Sequence, residues 1–381
     1  MKLIYLDYNA TQPVRPEARR AVQSFLDDDF GNPSSLHSHG RRVRAALEGV
    51  RKQLLQALGD PKGELIFTSG GTEADNLALA GAARALRARG DHVIVSSVEH
   101  DAVLRSADAL RADGFRVTTL PVDSLGVVDL QALRAAITPK TILLSVMHAN
   151  NEVGTIQPLE EVGRLAREKG ILFHADAVQS FGKLDLDVTR LPADLVSISG
   201  HKLGGLKGAG ALYLRQGVRI EPILRGGPHE RSLRAGTEGV IGIAAMGAAA
   251  ESALAERKAG GMDRIGRLRD HLEKSLQEKL PGVELNGDPA RRLPGTSNLS
   301  FSGCSGETLL MALDRAGISV STGSACASGS TEPSHVLTAM KLPPERIAGS
   351  IRFSLGWRTT EEEIEEALRR IPPVVERARD H

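Results

Sequence analysis

Residues 141–176 read TILLSVMHANNEVGTIQPLEEVGRLAREKGILFHAD, a stretch in which two apolar runs flank an amphipathic one. The apolar runs Thr141–Val146 and Ile171–His174 predict buried strands, because each is short and apolar. Between them, Leu159–Lys169 has apolar residues at intervals near 3.6, which is typical of a helix. A strand, a helix and a strand in this order indicate a parallel sheet covered by helices.

The same alternation of strand and helix patterns continues through the first two thirds of the chain. We predict further strands at Glu64–Thr68, His92–Ser96, Arg116–Leu120, Asp194–Ile198 and Ala209–Leu214, and helices at Thr72–Arg89 and Asp101–Ala112. The fold class is therefore α/β with a mainly parallel sheet. In such sheets ligands bind beyond the carboxyl ends of the strands.

The pattern changes near residue 251, where longer charged helices and shorter strands begin. Helices are predicted at Met262–Lys279 and from Thr360 to about Arg379, and strands at Ser297–Ser302 and Ser350–Leu355. We predict a large domain over residues 14–250. A smaller α+β domain would combine residues 1–13 with residues 251–381.

The composition excludes several classes of protein. Forty-eight basic and forty-seven acidic residues leave a net charge of +1, so we expect no nucleic-acid partner. The longest apolar run, Val240–Ala250, is shorter than a membrane span and predicts a buried helix, so we expect no membrane association. Two cysteines cannot supply a four-ligand metal site, and nothing indicates an oxidising compartment. We expect a cytoplasmic protein with no metal of its own.

Three strand ends carry residues that could perform chemistry. Thr68–Glu73 joins a strand to a helix through small residues, which can bind a phosphate or simply cap the helix. Asp176 ends one strand, where it could pair with a buried cation or cap the next helix. Lys202 ends another, where it could form a Schiff base or remain a solvated surface charge. Together they match the needs of pyridoxal phosphate, namely anion binding, nitrogen pairing and a lysine amine.

Several motifs, in order, resemble the cysteine desulfurases of the class V aminotransferase-fold enzymes. They are LDYNAT at 6–11, TSGGTEADN at 68–76, EH at 99–100, HANNEVG at 148–154, DAVQ at 176–179, SGHK at 199–202, GGPHE at 226–230, RAGT at 234–237 and STGSAC at 321–326. The likeness runs from Tyr5 to about Glu363, and the last motif is similar to that of the long-loop, NifS/IscS-like group. The resemblance implies the aspartate aminotransferase-like fold of pyridoxal-phosphate-dependent transferases, pyridoxal 5'-phosphate as cofactor and L-cysteine as substrate.

The resemblance also implies roles for individual residues around the cofactor. Lys202 would hold the cofactor as a Schiff base and move the substrate's Cα proton. Asp176 would pair with the pyridine nitrogen, and Gln179 would hydrogen-bond the ring oxygen. His100 would stack on the ring and act as acid or base. The phosphate would be held by Gly71, Thr72, Ser199 and His201, with Thr237 reaching it from the second subunit of a homodimer.

The remaining roles concern the substrate and its sulfur. Asn151 would contact cofactor and substrate, and Arg352 would form a bidentate pair with the substrate carboxylate. Cys326 lies in a Gly/Ser/Ala-rich segment, Thr322–Ser330, which predicts an exposed loop. Its thiolate would take the substrate sulfur as a persulfide, leaving alanine. Cys304 follows a predicted strand and is expected to be a buried small side chain.

The persulfide would pass to an iron–sulfur scaffold or another sulfur-acceptor protein. The resemblance also leaves room for Cys326 to contact a nascent iron–sulfur cluster on such a scaffold. Two alternatives stay open. One is selenocysteine lysis or another class V reaction such as transamination, although transamination needs no thiol nucleophile. The other is a sulfur-binding or scaffold-regulating protein without turnover.

Overall fold

The structure is a computed structural model that describes residues 2–322 and 332–379. Within these residues the largest sheet has seven strands, in the order β2-β8-β7-β6-β5-β3-β4. Its strands are β2 (Glu64–Thr68), β3 (His92–Ser96), β4 (Arg116–Leu120), β5 (Thr141–Ser145), β6 (Leu172–Asp176), β7 (Leu195–Ser199) and β8 (Gly210–Leu214). All seven were predicted, with ends that differ by at most two residues.

The sheet is mainly parallel. Neighbouring strands from β4 to β7 run parallel, whereas β8 is antiparallel to both β2 and β7. The parallel strands therefore end on one edge, where Asp176 closes β6 and Ser199 closes β7. The predicted α/β fold class is confirmed.

Helices cover both faces of this sheet. The helices before β8 are α1 (Pro16–Ala21), α2 (Gln23–Asp27), α3 (Ser38–Ala57), α4 (Gly71–Asn76), α5 (Ala82–Ala85), α6 (Asp101–Ala112), α7 (Leu130–Ala136) and α8 (Leu159–Glu168). A π-helical turn, Leu77–Gly81, joins α4 to α5. The predicted helix Thr72–Arg89 is therefore one helical run that ends at residue 85, earlier than expected.

Alternate residues of strand β2 pack into different cores. Along β2, Leu65 and Phe67 join one hydrophobic cluster, whereas Ile66 joins another. This follows from the two-residue period of a strand, which sends successive side chains to opposite faces. A strand buried on both faces needs an unbroken apolar run, and this is the pattern that the sequence shows in β3 and β5.

The C-terminal part of the chain forms a separate hydrophobic cluster together with Ile4 and Leu6. Its strands form a three-stranded sheet, β12-β10-β9, and a two-stranded parallel one, β1-β11. They are β1 (Ile4–Tyr5), β9 (Val283–Asn286), β10 (Thr296–Phe301), β11 (Ile318–Ser319) and β12 (Ser350–Ser354). The helices after β8 are α9 (Val240–Lys258), α10 (Gly261–Lys279), α11 (Gly306–Arg315), α12 (His335–Ala339), α13 (Pro344–Ala348) and α14 (Glu361–Arg379).

Helix α9 runs across residue 250, where the sequence predicts the boundary of the large domain. Its apolar part is buried as predicted, and the helix continues through the exposed Glu251 because its later polar residues face solvent. The division into residues 14–250 and the remainder stays a prediction. No helix in the described ranges is long and apolar enough to cross a bilayer.

Candidate active site

A cavity of about 500 Å³ lies at the carboxyl ends of β6 and β7. This volume is within the usual range for sites that hold a cofactor or small ligand. Ten residues predicted from the sequence line it together: Gly71, Thr72, His100, Asn151, Asp176, Gln179, Ser199, His201, Lys202 and Arg352. The structure thus brings together residues that are up to 281 positions apart in the chain, from Gly71 to Arg352.

One end of the cavity is built to receive an anion. Helix α4 begins at Gly71, and the helical run continues to Ala85, so the first backbone N–H groups have no helical acceptors. A Cβ on Gly71 would lie 2.6 Å from Val178 Cγ2, so the close packing of this turn requires glycine. The neighbouring Ser199 Oγ is buried and has no hydrogen-bond partner among the described residues. An oxyanion at this end would satisfy that hydroxyl.

The floor of the cavity carries two buried carboxyl groups. Asp176 Oδ1 accepts a hydrogen bond from Val178 N at 2.8 Å. Burial raises the pKa of Asp176, whereas the charges of His100 and Lys202 act in the opposite direction. Asp75 lies close enough to interact with it, and burial together with the charge of Asp176 raises the pKa of Asp75 well above its usual value. A cation facing Asp176 would therefore stabilise its charged form.

Lys202 lies on a 3₁₀ turn that directly follows β7. Its Nζ donates hydrogen bonds to the backbone oxygens of Asn9 and Ala10, the latter at 2.9 Å. Gln12 donates to the backbone oxygen of Lys202 at 2.6 Å, so the polar residue at position 12 supports this turn from outside the cavity. The amine is thereby held at the cavity wall by acceptors that a covalent bond to a ligand would replace.

The two histidines of the cavity have different surroundings. His100 Nδ1 accepts a hydrogen bond from Ala102 N at 3.0 Å, so its ring caps helix α6. His201 Nδ1 lies 3.1 Å from Thr11 Oγ1. Burial, with the charges of Lys202 and Lys207, lowers the pKa of His201 to about 4. The His201 ring is therefore neutral at pH 7 and can donate one hydrogen bond without adding charge.

Arg352 on β12 adds a positive charge to the lining of the cavity. Its Nη2 lies 2.8 Å from Asp7 Oδ1, and its Nη1 donates to Asn151 O at 3.1 Å. The Arg352 Nε atom is buried without a partner among the described residues. The guanidinium is held in place by fixed neighbours and retains donors for a carboxylate.

Two predicted site residues are not part of this cavity. Thr237 lines a different cavity with Ser69, and the adjoining Arg234 pairs with Glu73 on α4 at 2.7 Å. Cys326 lies outside the residues that the structure describes. Cys304 is buried, as expected, and burial raises the pKa of its thiol. A buried thiol of raised pKa is a poor nucleophile.

Sequence reasoning missed several cavity residues. Asn9, Ala10 and Asp75 line the cavity but were given no role, although all three lie within the quoted motifs at 6–11 and 68–76. Met147 and Val178 also line it. Of these residues, Asp75 could most readily have been predicted as a site residue from the sequence, because an acidic residue inside an otherwise apolar helix face is costly to bury.

The arrangement suits a flat anionic cofactor that carries a basic ring nitrogen. The cavity combines an anion-binding helix start with an orphaned hydroxyl, a buried carboxylate, and an amine at the wall. Pyridoxal phosphate has the complementary groups: a phosphate, a ring nitrogen that binds a proton, and an aldehyde that reacts with amines. The residues present therefore fit this cofactor.

Comparisons with known proteins agree with the geometry. A profile of the family described as aminotransferase class-V matches residues 4–367. The cysteine desulfurase IscS of Dictyoglomus turgidum (strain DSM 6724 / Z-1310) is 47% identical over 376 residues, which cover 99% of this chain and 95% of that protein. A solved structure described as a NifS-like protein has a TM-score of 0.92 at 37% identity, over 98% of this chain and 99% of that one.

A further solved structure, described as SspA in complex with cysteine, has a TM-score of 0.82 at 35% identity, over 92% of this chain and 98% of that one. The predicted resemblance is confirmed by relatives and solved structures that extend over almost the whole chain. The family profile alone covers residues 4–367 of 381. This chain therefore belongs to the class-V aminotransferase family.

Proposed function

We propose that this protein is a pyridoxal-phosphate-dependent cysteine desulfurase, which converts L-cysteine to L-alanine and transfers the sulfur to Cys326. The observation that carries the proposal is the joint placement of Asp176, Lys202 and the orphaned Ser199 hydroxyl in one cavity. The relative from Dictyoglomus turgidum, named a cysteine desulfurase, supports the choice of reaction.

The cavity residues would position the cofactor at three points. The start of α4, with Gly71 and Thr72, and the Ser199 hydroxyl would bind the phosphate, and His201 would donate to it. Asp176 would hold a proton on the ring nitrogen by charge pairing. Pyridoxal phosphate, when bound, supplies an electron sink that stabilises negative charge on the substrate carbon.

Two further residues of the cavity, Arg352 and Asn151, would bind and orient the amino acid. The Arg352 guanidinium, fixed by Asp7 and Asn151, would pair with the substrate carboxylate. Asn151 lines the same cavity. Lys202 Nζ would remove the proton from the substrate Cα and return a proton to the carbon skeleton. The His100 ring at the cavity wall would stack on the ring of the cofactor and serve as a further acid or base.

Cys326 would perform the sulfur transfer. Its thiolate would attack the sulfur of the bound cysteine, so that the carbon–sulfur bond breaks and a sulfur–sulfur bond forms on Cys326 Sγ. The electron pair of the broken bond stays with carbon, which is protonated to give alanine. Because Cys326 lies outside the described residues, this role rests on the sequence.

The partners follow from the same proposal. Within one chain, Thr237 lines a different cavity from the candidate active site. A contact between Thr237 and the phosphate would therefore come from a second copy of the chain. We propose a homodimer for this reason. The persulfide on Cys326 needs a sulfur-acceptor protein, for which an iron–sulfur scaffold is our first choice. A thiol that must stay reduced for each cycle is suited to the cytoplasm.

The proposal is tested by measuring alanine and sulfide released from L-cysteine in the presence of a reductant. We expect both products from the wild-type protein reconstituted with pyridoxal phosphate. Lys202→Ala should lower alanine release by about 10²–10⁴-fold, the usual effect of losing an acid–base group. Cys326→Ala should abolish sulfide release yet still change the visible spectrum when cysteine is added.

Cys304→Ala is the matched control, because this second thiol is buried in the hydrophobic cluster of the C-terminal part of the chain. It should release alanine and sulfide at the wild-type rate. Sulfide release by Cys326→Ala at the wild-type rate would show that another group takes the sulfur. A wild-type protein that does not bind pyridoxal phosphate would refute the proposed function as a whole.

A further inference from the structure

A second lysine, Lys183, lies next to the candidate active site without a role in the chemistry described above. It is half-buried and follows β6 by seven residues. Its Nζ donates a hydrogen bond to Gln179 Oε1 at 3.1 Å. The other end of that amide, Gln179 Nε2, donates to Asn9 O at 2.9 Å, and the same backbone oxygen accepts from Lys202 Nζ.

Lys183 and Lys202 also share a second, smaller cavity. It has a volume of about 30 Å³, and Lys202 lines both this cavity and the large one. A space of this size holds one or two water molecules. Trp357 also lines it, and its buried Nε1 has no partner among the described residues, so a water molecule here would have a donor to bind.

The chemistry of the lysine fixes the orientation of the glutamine. Lys183 Nζ donates to the oxygen end of the amide, and this is the only end that the protonated lysine, which has no acceptor, can meet. The nitrogen end then faces Asn9 O and the large cavity, which Gln179 lines. An amide nitrogen carries two N–H groups, and one of them remains for an acceptor in that cavity.

We propose that Lys183 is a positioning residue, which holds the Gln179 amide with its N–H end towards the cofactor cavity and, when protonated, adds a positive charge beside Lys202. The inference rests on the proposed function, because the acceptor that would gain from this orientation is the ring oxygen of pyridoxal phosphate.

Lys183 has a second effect, which is electrostatic and acts on the protonation of Lys202. Burial, with the positive charges of Lys202 and Arg352, lowers the pKa of Lys183 to about 7. Arg15 also faces it across the small cavity, but Arg15 is paired with Glu256 at 2.6 Å. Repulsion between two titrating groups is mutual, so protonated Lys183 disfavours a proton on Lys202.

Four variants separate the two effects. Lys183→Met removes the donor and the charge, and Lys183→Gln keeps a donor without the charge. Lys183→Arg keeps both. Lys169→Met, at an exposed lysine after α8, is the control for loss of a lysine. Each protein is freed of cofactor and titrated with pyridoxal phosphate, and the pKa of the bound cofactor is read from its visible absorbance across pH.

We expect Lys183→Met to bind the cofactor about tenfold more weakly, which corresponds to the loss of one hydrogen bond. The pKa read from the absorbance should rise by about one unit, which is typical when a neighbouring like charge is removed. Lys183→Arg should restore both quantities. Lys183→Gln should bind the cofactor nearly as well as wild type but keep the raised pKa.

A double-mutant cycle with Gln179→Leu tests the positioning directly. In that background Lys183→Met should change cofactor affinity less than twofold, because the amide that it positions is gone. Wild-type affinity and absorbance pKa in Lys183→Met would overturn the inference while leaving the proposed function intact. An unchanged tenfold loss in the Gln179→Leu background would also overturn it. Failure of the wild-type protein to bind pyridoxal phosphate would instead contradict the proposed function.

Discussion

Buried charges occur in two contrasting regions of this protein. In the first, Arg51 on α3 and Glu230 form a bidentate pair, with both nitrogen–oxygen distances at 2.9 Å. Phe67 N also donates to Glu230 Oε2 at 2.8 Å. Burial opposes the charged guanidinium, but the hydrogen bonds and charge of Glu230 outweigh it and raise the pKa of Arg51. In this region the two buried charges therefore neutralise each other and are joined by hydrogen bonds.

The second region is the floor of the cavity, where charges are not matched. Asp75 and Asp176 repel one another, and the pKa of each is raised by burial. Buried atoms of Asp75 and Ser199 have no hydrogen-bond partner among the described residues. A buried pair that satisfies itself holds the fold together, whereas buried groups left unsatisfied at a cavity indicate a binding site.

The largest expected effect concerns the buried pair of Arg51 and Glu230. Arg51→Met leaves the Glu230 carboxylate buried without its cation and should lower the free energy of unfolding by about 3–5 kcal/mol. Arg42→Met is the control, because Arg42 pairs with Asp29 at an exposed site and should cost less than about 1 kcal/mol. Urea denaturation of both variants measures the difference. A loss below about 1 kcal/mol for Arg51→Met would show that the pair is not structural.

A smaller, pH-dependent effect is expected at Glu99, which lies beside the cavity. Its Oε1 accepts from Ser96 Oγ at 2.5 Å and from Met147 N at 2.7 Å, whereas its buried Oε2 has no partner among the described residues. Burial raises the pKa of Glu99 to about 8. The folded chain therefore keeps this proton at pH values where the unfolded chain has lost it, and stability falls as the pH rises from about 4.5 to 8.

Glu99→Gln places an amide where the protonated acid stands and removes this titration. Relative to wild type, its free energy of unfolding should gain about 1–3 kcal/mol between pH 5 and pH 8. Urea denaturation at the two pH values measures the change. A constant difference between the two proteins across this range would mean that Glu99 is already ionised in the fold.

The smallest effect is expected at Asp75. Burial and the charge of Asp176 raise the pKa of Asp75 well above its usual value, which favours the uncharged acid, and an asparagine resembles that form in shape. Asp75→Asn should change the free energy of unfolding at pH 7 by less than about 1 kcal/mol, because an amide of the same shape replaces a carboxyl group whose charged form burial and Asp176 disfavour. A loss as large as that of Arg51→Met would show instead that the charged form of Asp75 stabilises the fold, as the charges of Arg51 and Glu230 do.

Much of this architecture could be predicted because local patterns determine it. The apolar runs of β3 and β5 predicted strands whose ends lie within one residue of those observed. The cavity lies at the sheet edge that we predicted from the strand ends at Asp176 and near Lys202. The family resemblance brought in residues far apart in sequence, such as Arg352. The roles of individual site residues, including Cys326, stay predictions.

What the sequence did not predict depends on packing between distant segments. The pairing of Arg51 with Glu230 joins residues 179 positions apart, and nothing local marks either as a partner. The contact of Lys183 with Gln179 is local, but its significance comes from the burial and from Lys202 and Arg352 nearby. The helical run ends at residue 85, four residues after the π turn Leu77–Gly81, and periodicity alone shows neither feature.

The central claim is most directly tested by mass spectrometry after L-cysteine is added to the cofactor-bound protein without reductant. We expect the peptide that contains Cys326 to gain one sulfur atom, the peptide that contains Cys304 to stay unchanged, and alanine to appear in an amount equal to the protein. No gain of sulfur on Cys326, or a gain on Cys304 instead, would contradict the account.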